Sequence, residues 1–103
     1  QFLILMPPAE FANVENSLKE NGVSAAEQRP FMRWFYGNSQ IVVADKQGRI
    51  LLPEDHCKRT GLKENVVIIG GKSRFEIWSA ERCAAAKSEE TGTYQKVADL
   101  IGL

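Results

Sequence analysis

Apolar and polar positions follow two different periods along this chain, and each change of period marks an element. Phe2-Leu3-Ile4-Leu5-Met6 is an unbroken apolar run that ends at Pro7-Pro8, where backbone amides are lost, so a buried strand is expected to give way to a helix there. Ala9 to Asn21 places Phe11, Val14 and Leu18 on one face and has Gly22 at its end, which predicts a single amphipathic helix. Ser24-Ala25-Ala26-Glu27 has the form of a capping box for a second helix, in which Pro30 predicts a kink or a delayed start. Phe31, Trp34 and Phe35 share an apolar face of that helix, Arg29 and Arg33 lie four apart beside it, and it ends near Gly37-Asn38.

The apolar runs then shorten. Ile41-Val42-Val43 and Ile50-Leu51-Leu52 flank the polar stretch Asp45-Lys46-Gln47-Gly48-Arg49, a pattern that predicts a β-hairpin or a tight strand connection. Gly48 can take the positive φ such a turn needs, and Asp45 can accept hydrogen bonds from amides two residues on, leaving Lys46 and Arg49 to point outward. Pro53 suits the first position of a short helix to Thr60, with Lys58 and Arg59 favourable to the helix dipole and Gly61 as a left-handed cap. Val66 to Ile69 is a strand, Gly70-Gly71-Lys72-Ser73 a turn, and Arg74-Phe75-Glu76-Ile77-Trp78 alternates as a half-buried strand does. Ser79 caps a third helix expected to run to about Lys87. Ser88 to Gly92 is expected to be a linker, and Thr93 to cap a last segment with Tyr94, Val97, Ala98 and Ile101 in a narrow stripe.

Composition narrows the class. With 103 residues, 44% hydrophobic and 25% charged, the chain has the size of one domain and the make-up of a folded globular protein. No apolar run approaches the ~18 residues of a membrane span, and Phe2 to Met6 lacks the flanks of a signal peptide. Cys57 and Cys83 have no CxxC spacing and only His56 as a companion, which points to reduced cytoplasmic thiols and to no metal site or other cofactor. Thirteen basic and thirteen acidic residues cancel. A neutral chain grips nucleic acid weakly unless several copies act together, and the slight basic excess between residues 45 and 82 changes this little.

Asp45-x-x-Gly48-Arg49, then Ile-Leu-Leu-Pro53, Gly61-Leu62, Val66-Val67-Ile68-Ile69-Gly70 and Phe75-Glu76-Ile77-Trp78, closely resembles the second repeat of MraZ proteins. These are bacterial transcriptional regulators of the division and cell wall gene cluster, built on the AbrB-like swapped-hairpin β-barrel. The resemblance covers roughly residues 3 to 83 and includes Arg29-x-x-x-Arg33, which is similar to the family's inter-repeat helix. It implies an α+β fold with helices covering the ends, and double-stranded DNA, as repeated operator sequences, for a partner. It also implies a ring-shaped homo-oligomer, repression as the outcome, and a cytoplasmic, nucleoid-associated location. Lys46, Gln47 and Arg49 would meet DNA, with Asp45 and Gly48 structuring the turn. Phe31, Trp34 and Phe35, with Phe2 to Met6, are the candidates for burial between subunits or repeats.

Leu3 to Pro7 can be laid on Phe75 to Ser79, strand then helix on strand then helix, and the counterpart of the Asp45 turn would then fall upstream of Gln1. MraZ proteins carry a first repeat there. The chain is therefore expected to be an N-terminally incomplete barrel, through truncation or as a natural variant. Residues 1–88 would form the MraZ-like domain and 89–103 a tail outside the resemblance.

Plainer readings stand beside these. Arg49 can be a solvated strand-end cation or the ion-pair partner of Asp45, and Lys46 can be solvated. Arg29 and Arg33 can be an exposed helix face or part of a subunit salt bridge. Trp34, Phe35 and Trp78 are core or interface aromatics, not base-stacking platforms. Gly70-Gly71-Lys72-Ser73 imitates the end of a P-loop, but Val66 stands where that pattern needs Gly, and a strand follows instead of a helix. Asp55-His56-Cys57 sets triad-type side chains next to one another on a helix, where they point apart. Glu89 and Glu90 are solvated acids. No enzyme is expected; the alternative to a DNA-binding regulator is an oligomerisation or protein-interaction module that has lost DNA binding.

Overall fold

The computed structural model describes residues 2–103. Its elements are β1 (Leu3–Leu5), α1 (Pro8–Ala12), α2 (Val14–Glu20), α3 (Ala25–Gly37), α4 (Glu54–Thr60), β2 (Val66–Gly71), β3 (Arg74–Ser79) and α5 (Ala80–Ile101). The strands form one antiparallel sheet in the order β1-β3-β2. Ile77 sits at its centre between Leu3 and Ile68 and is buried. The β2–β3 ladder runs out to Gly71 opposite Arg74, so the connection is a two-residue turn, Lys72-Ser73, tighter than the four-residue turn expected.

Local signals set several helix ends as read. The Ser24 hydroxyl accepts from the Glu27 amide at 3.2 Å and donates to the Glu27 carboxylate at 2.8 Å, and α3 starts on this box with Pro30 inside it, without a delayed start. Ser79 Oγ accepts from the Arg82 amide at 3.1 Å and caps α5. Gly61, at φ +70°, closes α4, with the Leu62 amide donating to the Cys57 carbonyl. Pro53 lies one step outside α4, at its N-cap.

Three expectations are corrected. The helix expected over 9–21 is two helices, because Asn13 takes φ −79°, ψ −10°, and Ser17 Oγ bonds its carbonyl at 3.0 Å, both of which loosen a helical turn. Residues 88–92 are no linker. The α5 helix runs through them for 22 residues, its propagation offsetting the ~1 kcal/mol that Gly92 costs relative to Ala. Ile41–Val43 and Ile50–Leu52 form no ladder. Among the described residues these arms have no strand partner and are joined by backbone hydrogen bonds at the turn, with Ile41 90%, Val43 82% and Leu51 88% exposed.

The core is thin. Ile77, Cys83 and Ala98 are its buried apolar residues among those described, and Thr60 and Ser79 are buried as well. The chain exposes 8424 Å², whereas a folded monomer of this mass exposes about 5,800 Å². Its radius of gyration is 16.4 Å against about 13 Å for a compact domain of this length. The arms at 41–43 and 50–52 and the half of α5 beyond Lys87, exposed except at Ala98, contribute to the open surface.

Candidate nucleic-acid interface

The turn at 45–49 is built by one carboxylate. Asp45 Oδ1 accepts from the amides of Gln47 and Arg49, each at 2.9 Å, and Oδ2 accepts from Arg49 Nε at 3.0 Å. The Asp45 carbonyl accepts from the Gly48 amide at 3.0 Å, and the Asp45 amide donates to the Arg49 carbonyl at 2.8 Å. Gly48 stands at φ +79°, as the sequence pattern requires, with nothing within 4 Å of the place a Cβ would occupy. The bond from the Arg49 amide, then that from Gln47 and the Arg49 side chain, hold the Asp45 carboxyl below its usual range against a smaller opposing effect of desolvation.

The Arg49 guanidinium is thus held through Nε only. Its side chain is 73% exposed, and its two terminal guanidinium nitrogens have no partner among the described residues. Lys46 and Gln47 are exposed on the same turn, and neither side chain has a hydrogen-bond partner there. The structure therefore brings Lys46, Gln47 and Arg49 onto one tip, with Asp45 bonding both the turn amides and the Arg49 side chain.

The aromatic candidates separate. Phe35 is half-buried against Phe11, with ring centroids 4.9 Å apart, and Phe31 stacks on Phe35 at 5.9 Å with an exposed edge. Trp34 faces away from this cluster and is 66% exposed. Just before the first strand Phe2 stacks on Trp78 at 4.5 Å, and Leu3–Leu5 pair with β3 inside the chain.

Polar contacts that no local pattern reveals tie the body together. Asn38, just past α3, takes His56 Nε2 at 2.9 Å on its carbonyl and the Arg59 guanidinium on its side chain, fixing α4 against the end of α3. Arg82 Nη1 donates to the Arg59 carbonyl at 3.2 Å, and Arg74 pairs with Glu10 at 3.0 Å, joining β3 to α1. Asp55, His56 and Cys57 occupy consecutive helical positions with His56 engaged by Asn38. Lys72-Ser73 leads into strand β3. Neither arrangement assembles the catalytic geometry its sequence imitates. Among the described residues no helix is long and apolar enough to cross a membrane.

Residues 35–101 match the family described as "MraZ protein, putative antitoxin-like". The chain is 37% identical over 97% of its length to the "Transcriptional regulator MraZ" of Symbiobacterium thermophilum, covering 72% of that protein. It is 36% identical over 96% of its length to the protein of that name from Heliobacterium modesticaldum, covering 69% of it, and 33% identical over 96% to that of Desulforamulus reducens, covering 70%. The chain belongs to the MraZ family. The MraZ match begins in α3, takes in the Asp45 turn, α4, β2 and β3, and continues through α5. The match takes in residues 89–101 as well. No solved structure matches the chain.

Proposed function

We propose that this chain is a sequence-specific DNA-binding transcriptional regulator, a repressor of a bacterial division and cell wall gene cluster. The observation that carries this reading is the state of Arg49, gripped by Asp45 at Nε with its terminal nitrogens unpartnered at an exposed tip. A guanidinium presented this way matches guanine O6 and N7 in the major groove, a contact worth about 1–3 kcal/mol of discrimination. Lys46 would meet a phosphate, Gln47 would support the contact, and Gly48 keeps the tip narrow enough for a groove. The name shared by the relatives, transcriptional regulator, supports the regulatory part.

In this reading the arms on either side of the turn pair with a strand partner and close an AbrB-like swapped-hairpin barrel, and copies associate into a ring in the cytoplasm, on the nucleoid. The exposed Ile41, Val43 and Leu51 and the excess of accessible surface support partner strands. Zero net charge supports the requirement for many turns acting together. The same neutrality favours one other reading, an oligomerisation or interaction module without DNA binding.

A mobility shift with the repeated sequences upstream of the gene cluster, run against unrelated DNA across a salt series, separates the two. The expected result is a salt-sensitive shift of the repeats that Arg49→Ala abolishes. A folded, assembled protein that shifts neither DNA would leave the interaction module as the function.

A further inference from the structure

The outer face of α3 and the second half of α5 are each apolar, open and unneutralised, and they are opposite in charge. On α3, Trp34 is exposed one turn beyond Pro30, beside Arg29 and Arg33, and neither arginine has a carboxylate partner among the described residues. Like charges four apart on a helix repel, so this face is less stable alone than with an acid set against it. On α5, Glu90, Tyr94, Val97 and Ile101 recur at helical spacing along one side with Glu89 next to them. Tyr94 and Ile101 are 62% and 67% exposed, and neither glutamate has a cationic partner.

We infer that α5 of one copy docks on the α3 face of a second copy, Tyr94, Val97 and Ile101 against Trp34, and Glu89 and Glu90 against Arg29 and Arg33. This rests on the self-association proposed above and names the surfaces that carry it. The two patches differ, so the contact is head-to-tail: each copy offers α5 to one neighbour and α3 to another, the arrangement from which rings are made. The surface in excess of a compact monomer, about 2,600 Å² on the scaling of area with mass, exceeds the roughly 800 Å² per partner of an ordinary interface. Both patches can therefore be covered along with the arms.

Light scattering across a concentration range tests this on the 103-residue chain, with R29E/R33E, with E89K/E90K, and with the two variants mixed in equal amounts. Circular dichroism establishes that each variant is folded. The expected result is an assembled wild type, two variants that stay at monomer mass, and recovery of assembly on mixing, because each reversed face then meets a complementary one. If wild type and both variants all assemble, the α3–α5 contact is wrong and self-association stands. Variants that stay monomeric even when mixed would also overturn the contact. A wild type that is monomeric throughout overturns both.

Discussion

The Asp45 carboxylate holds Arg49 at two points, the main-chain amide through Oδ1 at 2.9 Å and Nε through Oδ2 at 3.0 Å. The first bond shapes the turn and the second aims the side chain, so the two functions can be separated by substitution. Asp45→Asn keeps an acceptor for the amides and loses the charge that orients the guanidinium. It is expected to weaken operator binding while the turn amides keep their chemical shifts. Arg49→Ala is expected to lower operator affinity by roughly 5- to 150-fold per contact, the equivalent of ~1–3 kcal/mol, with an unchanged thermal midpoint. Titration of labelled operator with each folded variant checks both, and equal affinities would remove Arg49 from the interface.

Acid should spare the turn longer than an ordinary carboxylate would. The folded chain holds the Asp45 carboxyl below its usual value of 3.8. With the folded pKa depressed, the stabilisation is present above the unfolded value and disappears as pH falls through the folded one. An NMR titration of the Asp45 side-chain carbon should have its midpoint below 3.8, and Arg49→Ala should move it upward. A midpoint at or above 3.8 would contradict the hydrogen bonding described.

Gly61 and Arg82 meet at the end of α4. A Cβ at position 61 would stand 3.3 Å from the Arg82 guanidinium, a flexible end that can withdraw, so the left-handed φ of +70° sets most of the penalty. Gly61→Ala should cost about 1–2 kcal/mol and lower the melting temperature by roughly 4–8 °C per kcal/mol. Gly48→Val meets similar strain at φ +79° but in arms that make no ladder with the sheet. It should disturb the amides of residues 45–49 and leave the global melt nearly unchanged.

Ser79 ends β3 and caps α5 from a buried position. Ser79→Ala leaves the Arg82 amide without its acceptor and should cost about 1 kcal/mol, seen as a lower urea midpoint at constant slope. Thr in its place should recover most of the loss.

What could be read along the chain was local chemistry. Ser24 with Glu27, Ser79, Gly61 and the Asp45–Gly48 turn each depend on neighbours within a few residues, and all appear as expected. The β2–β3 pair was legible for the same reason, a short polar turn between two strand-type runs, although Gly70 and Gly71, read as part of that turn, belong to the ladder. Ile41–Val43 and Ile50–Leu52 have equally strong strand composition, but a strand needs a partner and nothing in the described residues pairs with them. The continuity of α5 escaped because Gly92 and the polar residues before it resemble a linker, while a long helix tolerates them once it is propagating. In the candidate site, the grip on Arg49 was legible, but the seat of Phe35 against Phe11 and the two bonds to Asn38 join separate elements.

Arg49 has a fixed place within its turn, but the arms that carry the turn have no ladder partner among the described residues. Ordering those arms has an entropic cost, and a strand that pairs with them and an operator that grips the tip would each meet it. Whichever arrives first lowers the cost for the other. Thermodynamic linkage makes the effect mutual, so operator DNA should lower the concentration at which copies assemble by the same factor that assembly raises affinity for DNA.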